Sequence, residues 1–229
     1  MVSTAGCLCA RRIRSAGEED MTGTGSQQTA SPEWQAFMAN PASYADAARL
    51  AECFDGTISE AACERMLRSQ RLQERLSKFL LERYRLHSAA DEPADAVDRA
   101  IALSSGEELE ELALRSGAIY WAGSLAAVID GREAAGLQAA LGADLCALSV
   151  ANRDLAGPTQ SLQPLEDIHD RVYADGLSCL GAWCQAMPGE TSMRVRLKLM
   201  PHGSVDAAAA EAFAAAGPAI VRRAMSETR

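Results

Sequence analysis

Any chemistry in this 229-residue chain would have to draw on three histidines, seven cysteines, two lysines and scattered carboxylates. The most concrete pattern is Glu166-Asp167-Ile168-His169, because a carboxylate and an imidazole three positions apart on a helix can face one metal ion. Bundle sites of that kind need a second such pair and two more carboxylates, and the sequence holds no second pair, so the stretch reads as a charged helix surface. Cys179 and Cys184 are five residues apart and fall on different faces of a helix; Cys7-Leu8-Cys9 has no second pair with which to close a zinc tetrahedron. Asp91, Glu92, Asp95 and Asp98 lack the spacing and central glycine of a calcium loop and read as an acidic loop leading into a helix. Neither lysine, Lys78 or Lys198, follows a glycine-rich phosphate loop. Ser124 follows Gly123 but lacks the second glycine of a nucleophile elbow, and reads as a buried hydroxyl bonded to its own helix. No catalytic residue, cofactor or metal is expected; a helical ligand binder or hydrolase with a site near His169 is the alternative.

Charge narrows the partners. With 31 acidic against 22 basic residues and a net charge of -9, the chain's overall field repels nucleic acid and anionic lipid, so no nucleic-acid partner is expected. The charge is unevenly spread. Thr57 to His87 carries seven basic and four acidic residues, and Ser88 to Ser116 eight acidic and two basic; the two regions either face one another or each offer a field to a partner. Met193 to Leu199 alternates, with Val195, Leu197 and Leu199 on one face and Arg194, Arg196 and Lys198 on the other, which predicts a strand with a basic face. A lone strand leaves backbone groups unpaired, so it needs a partner near Leu148 or Leu162 or from another protein. Its basic face would grip phosphates, pair with acidic residues of a protein or guard an exposed edge.

The elements that must position these residues are helical. Ser116 to Ile129 is an uncharged run of 14 residues, short of the roughly 20 a spanning helix needs, and Arg115 and Asp130 bound it, so no direct membrane insertion is expected. Its Gly117 marks either a break or a close helix crossing, and with Gly123 and the alanines leaves room for another helix, while Tyr120 and Trp121 supply bulk to a core, or alternatively to a partner surface or a ligand pocket. One long helix is predicted from a cap at Thr57 or Ser59 to His87, and another is opened by Ser105 with Glu108, or equally by Ser104 with Glu107, as a capping box. Asp130-Gly131 is read as that region's end, Gly142 as a stop between two short helices, and an alanine-rich helix from about Val205 closes the chain. The fold class expected is mainly α-helical with a small β component (α+β, helix-dominated). It comprises a disordered extension over 1–31, in which Met1 and Met21 are both available starts, a helical domain over 32–151, a linker over 152–164, and a C-terminal helical region over 165–229 that carries the strand and packs on the first domain. Seven cysteines at scattered spacings fit reduced thiols in a cytoplasmic protein.

Two regions give the chain a likeness. Trp34 to Tyr44, WQAFMANPASY, continuing to Leu50, and Glu108 to Gly117, ELEELALRSG, followed by Leu125, Ile129-Asp130-Gly131, Leu137 and Ala140 to Leu145, resemble the YscK/SctK family of type III secretion sorting-platform accessory proteins, including nodulation-associated relatives. Gly181-Ala182-Trp183 and Arg194 to Leu199 are also similar. The resemblance implies a non-enzymatic cytoplasmic adaptor, largely helical, held at the inner membrane through two protein partners. These are the inner-membrane ring protein (SctD type), by its cytoplasmic domain, and the pod or C-ring protein (SctQ type). The resemblance transfers no catalytic residue. From the charge asymmetry, the candidate interface is Arg194, Arg196 and Lys198 on the strand, Glu107, Glu108 and Glu111 in the acidic segment, and Tyr120 and Trp121.

Overall fold

Ser31 opens the first helix, α1 (Pro32–Ala39): its hydroxyl accepts from the Trp34 amide at 3.2 Å, and Pro32 fills the first turn, where no amide proton is needed. The structure, a computed structural model, describes residues 30–87 and 91–227. All but Ala30 and Ser31 of the expected disordered extension therefore lies outside the described residues. Trp34, Phe37 and Met38 share the buried side of α1, as their spacing predicts, and Asn40-Pro41 ends it in a single 3-10 turn. Asp46 then caps α2 (Ala47–Glu52).

The long helix expected over Thr57–His87 is two helices, α3 (Glu60–Leu67) and α4 (Gln73–Arg83), and the residue before α3 is Ser59 rather than Thr57. The chain turns a corner at Ser69 to Leu72, where the Gln73 amide side chain donates to the Leu67 carbonyl. The apolar period runs through the corner because both helices bury onto one small core of Leu50, Cys63, Leu76 and Leu80. Periodicity reports which side is buried, and a corner that keeps the same side inward leaves no break in it.

The body follows as α5 (Ala96–Leu103), α6 (Gly106–Tyr120), α7 (Ala122–Leu125), α8 (Gly131–Leu141), α9 (Ala143–Ala151), α10 (Ile168–Ala186), α11 (Gly189–Leu197), α12 (Gly203–Asp206) and α13 (Glu211–Ser226). Its centre is α10, at 19 residues the longest helix, packed against α6 and α13, which also touch each other. Where α6 crosses α10, a Cβ on Gly117 would overlap the Val172 carbonyl and one on Gly176 the Ala113 carbonyl, so the two backbones meet nearly directly. The small-residue run thus serves a helix crossing. Among the described residues no single helix is long and apolar enough to cross a membrane; α8 and α9 together pass on composition but meet at 111°.

Ser105 and Glu108 form the expected capping box, with Glu108 reaching back to the Ser105 amide at 2.7 Å, while Ser104 points into its own helix. Asp130 opens α8 by accepting from Arg132 and Glu133 amides at 2.9 Å each, which corrects its reading as the end of the preceding helix. Gly142, at φ +89°, separates α8 from α9 as expected. The closing helix starts at Glu211, later than predicted, after the short α12. The principal core draws on both sides of 152–164. That segment is tied down by Gly157, whose amide donates to the Tyr120 carbonyl at 2.8 Å, and by Gln160, whose amide donates to Ser124 Oγ at 2.7 Å. Ser124 is therefore buried as read, but its hydroxyl also holds this segment.

The small β component is absent among the described residues. Met193 to Leu199, expected as a strand, is the end of α11 and the turn after it. Pro188 precedes the helix, Glu190 sits in its first turn and Arg194 lies four residues on, which favours a helix through an i, i+4 ion pair at 2.7 Å.

Candidate functional site

The basic residues of α11 define the first correction at the site. In a helix buried on most of its surface, alternation no longer separates core from water. Val195 and Leu197 are buried, and so are Arg194, at 0% exposure, and Lys198, at 6%. Arg194 donates through Nε and Nη2 to the Met38 carbonyl at 3.2 and 2.9 Å, through Nη1 to the Glu190 carbonyl and carboxylate at 3.1 and 2.7 Å, and through Nη2 to the His87 carbonyl. Met38 lies in the last turn of α1, so a buried guanidinium satisfies carbonyls that helix geometry leaves open. Lys198 does the same for α5. Its ammonium donates to the Ala102 and Ser104 carbonyls at 2.7 and 2.5 Å and sits over the Phe37 and Tyr44 rings at 4.7 and 5.1 Å. Burial lowers the Lys198 pKa to about 8.

A third buried cation, Arg49 of α2, donates to the Leu199 carbonyl at 2.9 Å and to Asp206 at 2.9 Å. Together these cations join the N-terminal helices to α11 and its following turn. Sequence reading missed Arg49, and nothing in its neighbourhood marks it. Arg196 is only partly covered, and its Nε is buried with no hydrogen-bond partner. The proposed basic face is thus taken apart: two of its three cations are internal fastenings.

Tyr120 and Trp121 are also inside, each 2% exposed. Tyr120 stacks on Phe213 of α13 at 4.6 Å, and Trp121 donates its indole N–H to Asp175 at 2.7 Å beneath the Arg171 guanidinium. Burial raises the Asp175 pKa, against the lowering effects of that indole bond and of Arg171. Among the predicted interface residues, Glu107, Glu108 and Glu111 remain exposed, all on the first turns of α6, where negative charge favours the helix dipole. His169 faces solvent and approaches only Asp170, at 3.5 Å, and among the described residues no three metal-binding side chains converge. The acidic loop is dispersed as well. Glu92 holds Ser31 and Arg99, Asp95 caps α5, and Asp98 is buried between Trp183 Nε1 at 2.8 Å and Arg222 Nε at 2.7 Å.

Two surfaces remain that the body does not cover. One is apolar, where Ile129 is 98% and Val150 57% exposed beside a groove of about 180 Å³ between α7, α8 and α9. The other is the basic side of the small lobe, which adjoins a cleft of about 960 Å³ lined from the lobe by Leu67, Arg68, Gln70 and Gln73, and from the body by Glu33, Phe37, Glu108 and Lys198. The excess of basic residues over Thr57–His87 was the only signal in the sequence for this second surface.

The described residues thus form a helix-packed protein whose buried cations fasten its own backbone and which exposes a basic stretch over α3 and α4, an apolar corner and the acidic start of α6. The family described as "YOP proteins translocation protein K (YscK)" matches residues 33–226, and the chain belongs to that family. It is 30% identical over 151 residues, 66% of this chain and 68% of the relative, to "Nodulation protein NolU" of Rhizobium fredii, and equally to that of Sinorhizobium fredii (strain NBRC 101917 / NGR234). No solved structure matches the chain. Family membership carries a type III secretion-associated role in protein transport, and the family is a secretion-system component rather than a known enzyme family.

Proposed function

We propose that this chain is a non-enzymatic adaptor of a type III secretion sorting platform, joining the cytoplasmic domain of the inner-membrane ring to the pod protein. In this reading it is cytoplasmic and held at the inner membrane only through those proteins. The observation that carries the reading is the family match, which spans nearly all the described residues, so the adaptor is the whole helical body rather than a module within it. The geometry supports it in two ways: the buried cations Arg49, Arg194 and Lys198 are bound to backbone carbonyls, and two uncovered surfaces of different chemistry give one body two places to bind. The name of the similar nodulation protein supports a setting in a plant-associated bacterium.

The test is affinity purification of the tagged chain from cells that express the type III apparatus, followed by reconstitution with purified pod protein and ring cytoplasmic domain. Both should be recovered, and a ternary complex should form only when this chain is present. Recovery of neither, with the apparatus assembled, would overturn the adaptor reading.

A further inference from the structure

Arg65, Arg68, Arg71, Arg75 and Lys78 recur every three or four residues through α3, the corner and α4, and all five are exposed. Arg75 and Lys78, three residues apart, share one side of α4, while Leu76 and Leu80 occupy its buried side; Arg65 lies on α3, Arg68 caps it, and Arg71 lies in the corner between the two helices. Arg68 pairs with Glu64, and Lys78 lies 3.9 Å from Glu82; among the described residues Arg65, Arg71 and Arg75 have no carboxylate within 4.0 Å. Neighbouring like charges repel, at about 0.2–0.5 kcal/mol per pair on a helix surface. Among the described residues no carboxylate pairs with Arg65, Arg71 or Arg75, in contrast to Arg49, Arg194 and Lys198, which are held by backbone carbonyls and, for the two arginines, carboxylates. The row runs into the cleft at Arg68, where the Gln70 and Gln73 side chains add amide groups.

We propose that this row is the docking surface for an acidic protein segment of one of the two platform partners, an assignment that rests on the adaptor reading above. The remainder of the chain explains why the occupant is a protein segment rather than a bilayer or a duplex. The whole molecule is at -9 although this lobe is basic. An extended anionic surface reaching more than about 10 Å past the row would meet acidic surface. An acidic segment confined to the row stays clear of the Glu33 and Glu108 carboxylates on the far side of the cleft.

The experiment titrates purified pod protein, and separately purified ring cytoplasmic domain, against the full chain, the charge-reversed R65E/R71E/R75E variant and the charge-keeping R65K/R71K/R75K variant, each checked for helicity by circular dichroism. One of the two partners should bind wild type with an affinity that falls as salt rises, bind the lysine variant nearly as well, and bind the glutamate variant about tenfold or more weakly. Equal binding of a folded glutamate variant to both partners overturns this inference alone. Failure of wild type to bind either partner overturns the adaptor reading and this inference with it. Vesicles of phosphatidylglycerol and phosphatidylethanolamine form a third arm: co-sedimentation of wild type but not of the glutamate variant would make the row a membrane surface and overturn the protein assignment.

Discussion

Removing the Arg194 guanidinium separates the two accounts of Met193 to Leu199. A strand with a basic face makes Arg194, Arg196 and Lys198 equivalent and exposed, so replacing any of them changes stability by no more than about 0.5 kcal/mol. The helix makes them unequal. Arg194→Met keeps much of the volume but leaves the Met38 and His87 carbonyls without their donor, and Glu190 without its closest guanidinium. Taking one partner from a buried ion pair costs about 3–5 kcal/mol. Here the lower end applies, because the Glu190 side chain is 25% exposed and keeps the His87 amide at 3.1 Å and the His87 ring at 2.6 Å. A loss of about 3 kcal/mol, divided by a urea dependence of about 1–3 kcal/mol/M, moves the unfolding midpoint down by about 1 M or more. Arg194→Lys keeps the charge but loses the fork and should fall between; Arg194→Glu puts two carboxylates together and should not fold.

The assay is equilibrium urea unfolding followed by circular dichroism and by tryptophan fluorescence, with Arg196→Met alongside. Coincident midpoints for wild type, Arg194→Met and Arg196→Met would refute the helical placement. The same reasoning governs how binding experiments are read: charge reversal at Arg194 or Lys198 would abolish partner binding by unfolding the protein. Substitutions on the α3–α4 row avoid that confusion, because among the described residues those side chains make no ion pair beyond Arg68–Glu64 and Lys78–Glu82.

The Lys198 ammonium gives a pH signature. Its folded pKa of about 8 lies below the ordinary 10.5, so between those values the unfolded chain holds the proton more tightly and this group's contribution to stability rises with pH, then levels off on either side. Buried Tyr44 and Cys184, the latter pushed up to about 12, oppose it at high pH, so the check is the difference in urea stability between wild type and Lys198→Met at pH 7.5 and 9.5: the gap should widen with pH, and a constant gap would refute the assignment. Gly176→Ala forces a methyl into the Ala113 carbonyl at the α6–α10 crossing and should cost about 1–3 kcal/mol or more, whereas Gly189→Ala, which meets nothing, should not; thermal unfolding compares them. Ser105→Ala removes half of the capping box of α6 and should cost about 1 kcal/mol in the same assay.

Helical content, the Gly117 crossing, the Ser105 cap and the Gly142 break were legible because each depends on local chemistry or on a period that one helix satisfies alone. The corner between α3 and α4 was not, since a turn that keeps Leu72 and Leu76 on the side of one core leaves the period intact. The strand was misread for a deeper reason. A period-two pattern separates inside from outside only if its charged half goes to water, and that holds only where no carbonyl-rich alternative exists. In this fold the C-terminal turns of α1 and α5 present open carbonyls beside α11, and an arginine and a lysine supply the donors. The alternation of RVRLKL therefore records apolar burial alternating with carbonyl-bound burial at Arg194 and Lys198, with Arg196 between them only partly covered.

That distinction also locates the functional surface. Cations at Arg49, Arg194 and Lys198 come from sequence neighbourhoods no more basic than the α3–α4 row, and composition alone ranks them together. What differs is the alternative partner available in the folded chain. Where carbonyls converge, the charge is consumed in holding helices together; along α3 and α4 cations outnumber carboxylates among the charged neighbours three and four residues away, and the charge is left for something outside. A partner-binding surface in a helical adaptor of this kind is thus sought by subtracting the charges that the backbone has already claimed; within the α3–α4 row that leaves Arg65, Arg71 and Arg75 as the residues on which recognition should depend first.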